Sequence, residues 1–434
     1  MKNFIKNIKN FPIRATIIPG ILLFVLIFFS CSDLPTSPSE MNKSALSKPV
    51  ITFSNGISQG SYINEVNGVE ALYKITIPPS WNEDVVVYAH GFIPPQEELR
   101  IQDDVIEGVP VSAIVNSMGF AFVTTSYATN GILPPEIGIT DLDSVVNIFH
   151  RLVNQYLPEN MVNNIYLVGA SEGGWLTALA IEGRPDLFSG GLSLCGPVGD
   201  FQKQLNYFGD FRAVFDYFFA KKIENWSPWT QDNPEIPQQI IDNWTTVYKP
   251  AIEQAVVKFP FLTKQLLQVT KVPVEYSDPL APLAVTSLLR YNITTINDIL
   301  ENKFDGLPYR NIGKWYFGSK NDFRLNRKIE RFTGNYTALQ EIKNEYQTSG
   351  DLSIPIVTIH TFKDEIVPYW HEPLYRKKVF LTGSSLYHTN FPVFRYGHCN
   401  FTQEEVLRAF QWLIFKVNVQ NLFFAEAIEP PQDF

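Results

Sequence analysis

The sequence has few of the residues that most often bind transition metals, with three cysteines and six histidines among 434 residues. It contains no His-Glu-x-x-His motif, no closely spaced pair of cysteines and no Walker glycine loop. Nothing in it therefore points to a zinc-dependent or nucleotide-dependent enzyme, and we expect neither a metal nor a cofactor. It also shows no internal repeats.

Positive charge is scarcer than negative charge. The chain has 35 Lys and Arg against 44 Asp and Glu, which gives a net charge of −9. No basic stripe stands out, and an acidic surface repels phosphate backbones, so we expect no nucleic-acid partner. A hydrophobic content of 45% is typical of a globular protein with a large core.

The sequence lacks an uninterrupted apolar run of about 20 residues, the length that a membrane-spanning helix needs. The apolar stretch at residues 15–29 is broken by Pro19-Gly20, follows four cations and is succeeded by Ser30 and Cys31. This order of charged, apolar and small residues is typical of an export signal. We therefore predict a signal peptide over residues 1–30.

Phe28-Phe29-Ser30-Cys31 resembles a bacterial lipobox, although Phe stands where Leu and a small residue are usual. In a lipobox the cysteine becomes the lipid-modified first residue, which implies lipidation of Cys31. The polar residues that follow read as a flexible tether, so we predict an anchor and tether over residues 31–49. We expect an exported protein of the bacterial cell envelope that contacts the membrane through a lipid. An ordinary signal peptide and an uncleaved anchor remain alternatives, and both would export the body.

From residue 50 onward, short β-rich runs alternate with helical patterns, which predicts a mostly parallel sheet flanked by helices. Runs such as Val85-Val86-Val87 are continuously apolar, as in strands buried on both faces. Strands are predicted near residues 72–77, 84–89, 120–126, 164–168, 191–194, 354–361 and 386–393, and helices over 141–156, 172–182 and 402–417.

The alternation stops between residues 200 and 353, where an aromatic and helix-like segment begins. We predict an α/β core in two parts, residues 50–199 and 354–434, with a largely helical cap over residues 200–353. The cap contains four of the eight tryptophans, Trp226, Trp229, Trp244 and Trp315. They either form the cap's own core, the favoured interpretation, or line a pocket.

Gly169-Ala170-Ser171-Glu172-Gly173-Gly174 lies between a predicted strand and a helical run. In this setting Gly-x-Ser-x-Gly is typical of a nucleophile elbow, in which Gly169 and Gly173 permit a tight turn and the serine projects above the sheet. The alternative is a plain glycine-rich turn. We predict that Ser171 is a nucleophile.

A serine hydroxyl becomes a good nucleophile when a base takes its proton, so a histidine is required. His398 falls on a loop after the last predicted strand and immediately before the final helix. His150 lies within a helical run, and His360 lies inside an apolar strand and is expected to be a core residue. The positions of His371 and His388 give no reason to favour either as the base. His398 is therefore the predicted base.

A carboxylate should orient that histidine. Asp364 follows the strand that contains His360, which gives the chain order Ser, Asp, His. Glu365 and Asp200 are rival acids. Two backbone amides should stabilise the oxyanion, and we expect them at Glu172 and, in the loop His90-Gly91-Phe92, at Phe92. His90 would orient this loop and Gly91 is its glycine; a common strand-end turn is the alternative interpretation of His-Gly.

Together these residues resemble the α/β-hydrolase superfamily over about residues 72–417. The Gly-x-Ser-Glu-Gly-Gly elbow, Leu194-Cys195-Gly196-Pro197 and Gly-His-Cys-x-Phe are similar to uncharacterised secreted bacterial serine hydrolases of the lipoprotein type. The resemblance implies an α/β-hydrolase fold with a cap inserted between sheet strands, and acyl transfer without a particular substrate.

We expect a serine hydrolase that cleaves a carboxylic ester of a small molecule through an acyl-enzyme. An amidase or a tripeptidyl-type peptidase acting on short peptides with the same triad stays open, as does a non-catalytic surface binder. Cys195 and Cys399 either pair in a disulfide, which an exported protein permits, or stay as buried thiols. Tannase-like esterases have a disulfide beside the catalytic histidine, although there it joins a cysteine next to the serine.

Overall fold

The computed structural model describes residues 50–428, with side chains as far as Asn421. The predicted signal peptide, lipidation site and tether lie outside the described residues. No helix among the described residues combines the length and the apolar character needed to span a bilayer.

Eight strands form one central sheet with the order β1-β2-β4-β3-β5-β6-β7-β8. The strand β2 runs antiparallel to both of its neighbours, and all pairs from β4 to β8 are parallel. The predicted fold class, a mostly parallel sheet flanked by helices, is confirmed. The strands are β1 Ile57–Ile63, β2 Glu70–Thr76, β3 Val85–Ala89, β4 Ala121–Thr125, β5 Ile165–Ala170, β6 Gly190–Leu194, β7 Ile356–Lys363 and β8 His388–Tyr396.

Seven of these strands were predicted and β1 was not. Its sequence, Ile-Ser-Gln-Gly-Ser-Tyr-Ile, is mostly polar, and only Ser58 and Tyr62 are buried. It lies at the edge of the sheet, where one partner strand and a single covered face suffice. The central strands β3 and β4 are buried at every residue, which explains their continuous apolar runs.

Helices cover both faces of the sheet, and successive residues of a strand point into different cores. Val85 and Val87 pack in one apolar cluster with α2, α3 and α11, whereas Val86 packs in another with α1 and α12. A capping box begins α12, because the Thr402 hydroxyl accepts from the Glu405 amide and the Glu405 carboxylate accepts from the Thr402 amide. These helices are α1 Val111–Ser117, α2 Pro135–Tyr156, α3 Glu172–Gly183, α11 His371–Thr382 and α12 Gln403–Ile428.

The chain leaves the sheet after β6 and returns to it at β7, and the segment between them is helical. It contains α4 Phe201–Phe219, α5 Gln238–Asp242, α6 Lys249–Lys258, α7 Pro260–Thr270, α8 Ala281–Asp298, α9 Asp322–Lys328 and α10 Tyr336–Glu345, together with π-helical turns at Trp244–Tyr248 and Ile299–Lys303. Most of these helices enclose an apolar core of their own, whereas α10 packs with the sheet core.

Three of the four cap tryptophans, Trp226, Trp229 and Trp244, are buried in this second core. Asp216 organises it, since its carboxylate accepts from the Trp226 indole, from the Trp229 amide and from Arg212. The interpretation of these three tryptophans as core residues is correct, whereas Trp315 is 45% exposed.

Candidate active site

Ser171 occupies the sharp turn between β5 and α3. Its φ of 56° lies in the left-handed region, which residues other than glycine rarely adopt. The predicted glycines make this turn possible. A Cβ on Gly173 would stand 2.0 Å from the Ala89 carbonyl oxygen, and one on Gly169 would stand 2.2 Å from the Gly173 carbonyl oxygen. The segment therefore has the geometry of a nucleophile elbow.

The structure brings the three predicted side chains together above the carboxyl edge of the sheet. His398 Nε2 lies 2.8 Å from Ser171 Oγ, and His398 Nδ1 lies 2.7 Å from Asp364 Oδ2. In this arrangement the serine hydroxyl donates to the imidazole and the imidazole donates to the carboxylate. A proton can thus leave the serine while the resulting imidazolium is held beside a negative charge.

Asp364 is fully buried, and its environment keeps it ionised. Its Oδ1 accepts from the amides of Ile366 and Val367 at 2.9 and 2.8 Å. Burial alone would raise the pKa of this carboxyl, but the neighbouring His398 and His360 hold it well below its usual range. Of the rival acids, Asp200 caps α4 by accepting from the Lys203 amide. Glu365 lines the same cleft as Ser171 and His398, but no hydrogen bond joins it to His398 among the described contacts.

His360, expected to be a core residue, is buried but also contacts the triad. Its Nδ1 lies 3.1 Å from Glu372 Oε1, and its Nε2 lies 2.7 Å from the Val367 carbonyl oxygen and 3.5 Å from Asp364 Oδ2. Burial lowers the pKa of this imidazole, yet hydrogen bonds and charge from Asp364 and Glu372 outweigh burial and raise it to about 10. Both ring nitrogens of His360 thus face acceptors, which favours an imidazolium behind the Asp364 carboxylate.

One sequence signal could have pointed to His360. It precedes Asp364 by four residues at the end of the same strand, so both side chains emerge at one sheet edge. Its other partner could not be found in this way, because Glu372 comes from α11 and is fixed by Thr358 and Asn390, whose side chains donate to it at 2.6 and 2.7 Å.

The loop after β3 lies against the elbow. A Cβ on Gly91 would stand 3.3 Å from Ser171 Cβ, so a glycine allows this close approach. The ring of His90 packs on Tyr127 at 4.3 Å, and its Nδ1 donates to the Gly91 carbonyl, which fits the predicted orienting role. Within residues 50–428, the amides of Phe92 and Glu172 have no hydrogen-bond acceptor, so both are free to bind an oxyanion.

The side chain of Glu172 turns away from the cleft and ties the elbow to its surroundings. Its Oε1 accepts from the Leu133 amide at 3.0 Å. Burial raises the pKa of this carboxyl to about 7, against the lowering effect of the Leu133 amide and of Lys303. Burial thus favours the protonated form of the carboxyl that directly follows Ser171.

Cys195 and Cys399 form a disulfide with their Cα atoms 5.4 Å apart. Cys195 directly follows β6, whose last residue, Leu194, accepts a hydrogen bond from the Ser171 amide at 2.8 Å. Cys399 directly follows His398. The disulfide therefore links the histidine loop to the strand end that also holds the nucleophile.

A cleft of about 960 Å³ opens over Ser171 and His398. Its sheet side includes Gly91 and Phe92, and its cap side is one face of α8, formed by Leu283, Ser287, Arg290, Tyr291 and Thr294. The Tyr291 ring packs on Phe92 at 5.3 Å, so the cap touches the loop expected to form the oxyanion hole. This volume suits a ligand of small-molecule size.

No protein-family model matches the chain, and no curated protein matches it. Among solved structures, feruloyl esterase B from Aspergillus oryzae is similar at 15% identity, over 79% of this chain and 74% of that chain, with a TM-score of 0.44. A rice cell wall degrading esterase from Xanthomonas oryzae has 13% identity over 85% and 90%, with a TM-score of 0.40.

Pyrococcus horikoshii acylaminoacyl peptidase has 12% identity over 83% of this chain and 42% of that chain, with a TM-score of 0.40. At such low identities, nothing about the substrate of this chain follows from these proteins.

Proposed function

We propose that this protein is a serine hydrolase in which Ser171 is the nucleophile, His398 the general base and Asp364 the orienting carboxylate. The observation that supports the proposal is the unbroken pair of hydrogen bonds, 2.8 and 2.7 Å long, that joins the three side chains. They come from three separate segments of the chain. Their meeting at a strained turn beneath an open cleft is expected of an acyl-transfer site.

In the proposed reaction, His398 Nε2 takes the hydroxyl proton of Ser171 while Oγ attacks the substrate carbonyl carbon. The amides of Glu172 and Phe92 would donate to the oxygen as it gains negative charge, and losing one such donor typically costs about 3 kcal/mol of barrier. His398 then gives the proton to the leaving oxygen. Water repeats the sequence on the acyl-enzyme and releases Ser171.

We propose a carboxylic ester of a small molecule as the substrate. An ester needs no more than this relay and a cleft of the observed size, whose cap wall includes the apolar side chain of Leu283 and the ring of Tyr291. Export and lipidation at Cys31 remain part of the proposal, as does action at the cell envelope. Amide hydrolysis and non-catalytic binding are the outcomes that the experiment below must separate.

Labelling with a fluorophosphonate probe tests the nucleophile. The wild type is expected to be labelled and Ser171→Ala to be unlabelled. Ser287→Ala is a matched control, because Ser287 lines the same cleft without contacting the triad, and it should be labelled like the wild type. An unlabelled wild type would leave the non-catalytic binder as the better description.

Hydrolysis assays then separate the substrate classes. p-Nitrophenyl esters of two to eight acyl carbons should be cleaved at rates that depend on Ser171, and p-nitroanilides of di- and tripeptides should not. Faster cleavage of a tripeptide anilide than of every ester would replace the esterase proposal with a peptidase.

A further inference from the structure

Three aromatic rings cluster on the outside of the cap. Trp315, Phe317 and Phe323 are 45%, 66% and 79% exposed, and the rings of Phe317 and Phe323 lie 6.2 and 5.6 Å from that of Trp315. Such large apolar side chains are costly to leave in water when they lie together. The cluster has no part in the proposed catalytic site.

The same segment has an unusual charge for this acidic protein. Residues 310–331 include seven Lys and Arg and two Asp and Glu, a net charge of +5 in a chain of net charge −9. No basic stripe stands out in the sequence, because these cations are spread over 22 residues. Five are exposed and form no ion pair within the described part of the chain: Arg310, Lys320, Arg324, Arg327 and Lys328.

The two acids of the segment are already counted in its net charge of +5. Asp322 accepts from the amide and the hydroxyl of Ser319, and Glu330 accepts from the Gln231 amide. The neighbouring helix α7 extends the surface, since the Lys320 amide donates to Gln265. One turn earlier on α7 is Phe261, which is 81% exposed.

We propose that this aromatic and basic face of the cap binds an anionic lipid bilayer. Exposed Trp and Phe side chains beside Lys and Arg are the combination that interfacial segments use, with the rings entering the headgroup region and the cations contacting acidic lipids. Two copies that met through this face would bring like charges together, which makes symmetric pairing of the face a poorer alternative. The rings pack against one another at steep angles, so they do not offer the separate flat faces on which successive nucleic-acid bases stack.

A fluorophore placed on this face reports its occupant independently of any anchor at the amino terminus. The full-length chain with Cys31→Ser and Ile312→Cys has one free thiol, since Cys195 and Cys399 are paired. Ile312 is 49% exposed and lies beside the ring cluster without belonging to it. Tyr336→Cys in the same background is the matched control, being exposed on α10 but outside residues 310–331.

With vesicles of phosphatidylglycerol and phosphatidylethanolamine, an environment-sensitive dye at position 312 should shift its emission to the blue and become shielded from an aqueous quencher. Pure phosphatidylcholine vesicles should leave it unchanged, and high salt should reverse the shift. The dye at position 336 should not respond. Adding Arg324→Gln and Arg327→Gln should weaken the lipid titration by about fivefold per cation removed.

An unchanged dye at position 312 on anionic vesicles, or an equal shift on phosphatidylcholine, would overturn the proposal. So would the same shift without lipid, either at raised protein concentration, which would indicate a second copy, or on adding single-stranded DNA.

Discussion

At the scale of single residues, Asp364 lies between two imidazoles, with His398 Nδ1 at 2.7 Å and His360 Nε2 at 3.5 Å from its Oδ2. Ser171, Asp364 and His398 could be located in the sequence, because a glycine-flanked serine after a strand, an aspartate at a strand end and a histidine before the last helix each have a recognisable position. His360 could not be assigned in the same way. Its surroundings in the sequence are apolar, and its two carboxylate partners become visible when β7 and α11 pack together.

We expect His360→Gln to reduce kcat/KM by about ten- to hundredfold, since it removes a cation that hydrogen bonds and charge couple to the triad acid. The acidic limb of the pH profile of kcat/KM follows protonation of the base, His398. It should move to higher pH, because the cation at position 360 no longer opposes a proton on that imidazole.

The matched control is His150→Gln, which changes a partly exposed histidine of α2. It should behave like the wild type in both measurements. A His360→Gln enzyme with an unchanged acidic limb would show that this imidazolium has a packing role alone.

Glu172 gives a prediction about stability. Its pKa is raised in the folded protein to about 7, so between the ordinary value of 4.5 and 7 the folded state holds a proton that the unfolded state has lost. The free energy of unfolding should consequently fall as pH rises through this window. Glu172→Gln keeps an acceptor for the Leu133 amide and removes the titration, so it should stabilise the protein at pH 8 by about 2 kcal/mol.

Denaturant unfolding at pH 5 and pH 8 measures this effect. The gain should be much smaller at pH 5, where the folded state is protonated at position 172 and the unfolded state is close to its ordinary pKa of 4.5. An equal gain at both pH values would mean that the carboxyl's charge is not the cause.

At the scale of elements, seven strands and three of the flanking helices could be predicted because apolar periodicity and capping residues mark them. The edge strand β1 was not predicted, because a strand at the edge of a sheet needs few apolar residues. The boundaries also shifted: α2 begins at Pro135, six residues before the predicted start, because Pro135 fits the first turn of a helix.

The disulfide between Cys195 and Cys399, which joins the end of β6 to the loop that contains His398, gives a prediction about redox sensitivity. Reduction, or the double change Cys195→Ser and Cys399→Ser, should lower kcat/KM by about tenfold or more, because His398 loses the tether next to it and the approach to Ser171 becomes less well fixed. The wild type should lose activity in reductant, and the double variant should be indifferent to it. Full activity of the reduced wild type would show that the loop is held by its hydrogen bonds alone.

At the scale of the whole molecule, a helical insertion could be predicted from the break in alternation between residues 200 and 353, but its arrangement over the sheet could not. The face of α8 that is turned toward Ser171 is determined by contacts between distant segments, such as that of Tyr291 with Phe92. Composition and local sequence patterns do not predict such contacts.

The position of α8 predicts how the cap selects substrates. Ser287→Trp should fill part of the cleft and raise KM for long p-nitrophenyl esters more than for the acetate, because the longer acyl chain must share that space. Fluorophosphonate labelling of this variant should persist, which separates a blocked cleft from a damaged triad. Equal loss on short and long esters would place Ser287 away from the acyl chain.

The order in which the chain visits the sheet has a consequence for biosynthesis. A ribosome that has translated as far as residue 353 has already made the elbow, the loop after β3 and every cap helix, yet neither Asp364 nor His398 exists. Until the last two strands join the sheet, the chain therefore lacks both the base and the orienting carboxylate of the proposed relay.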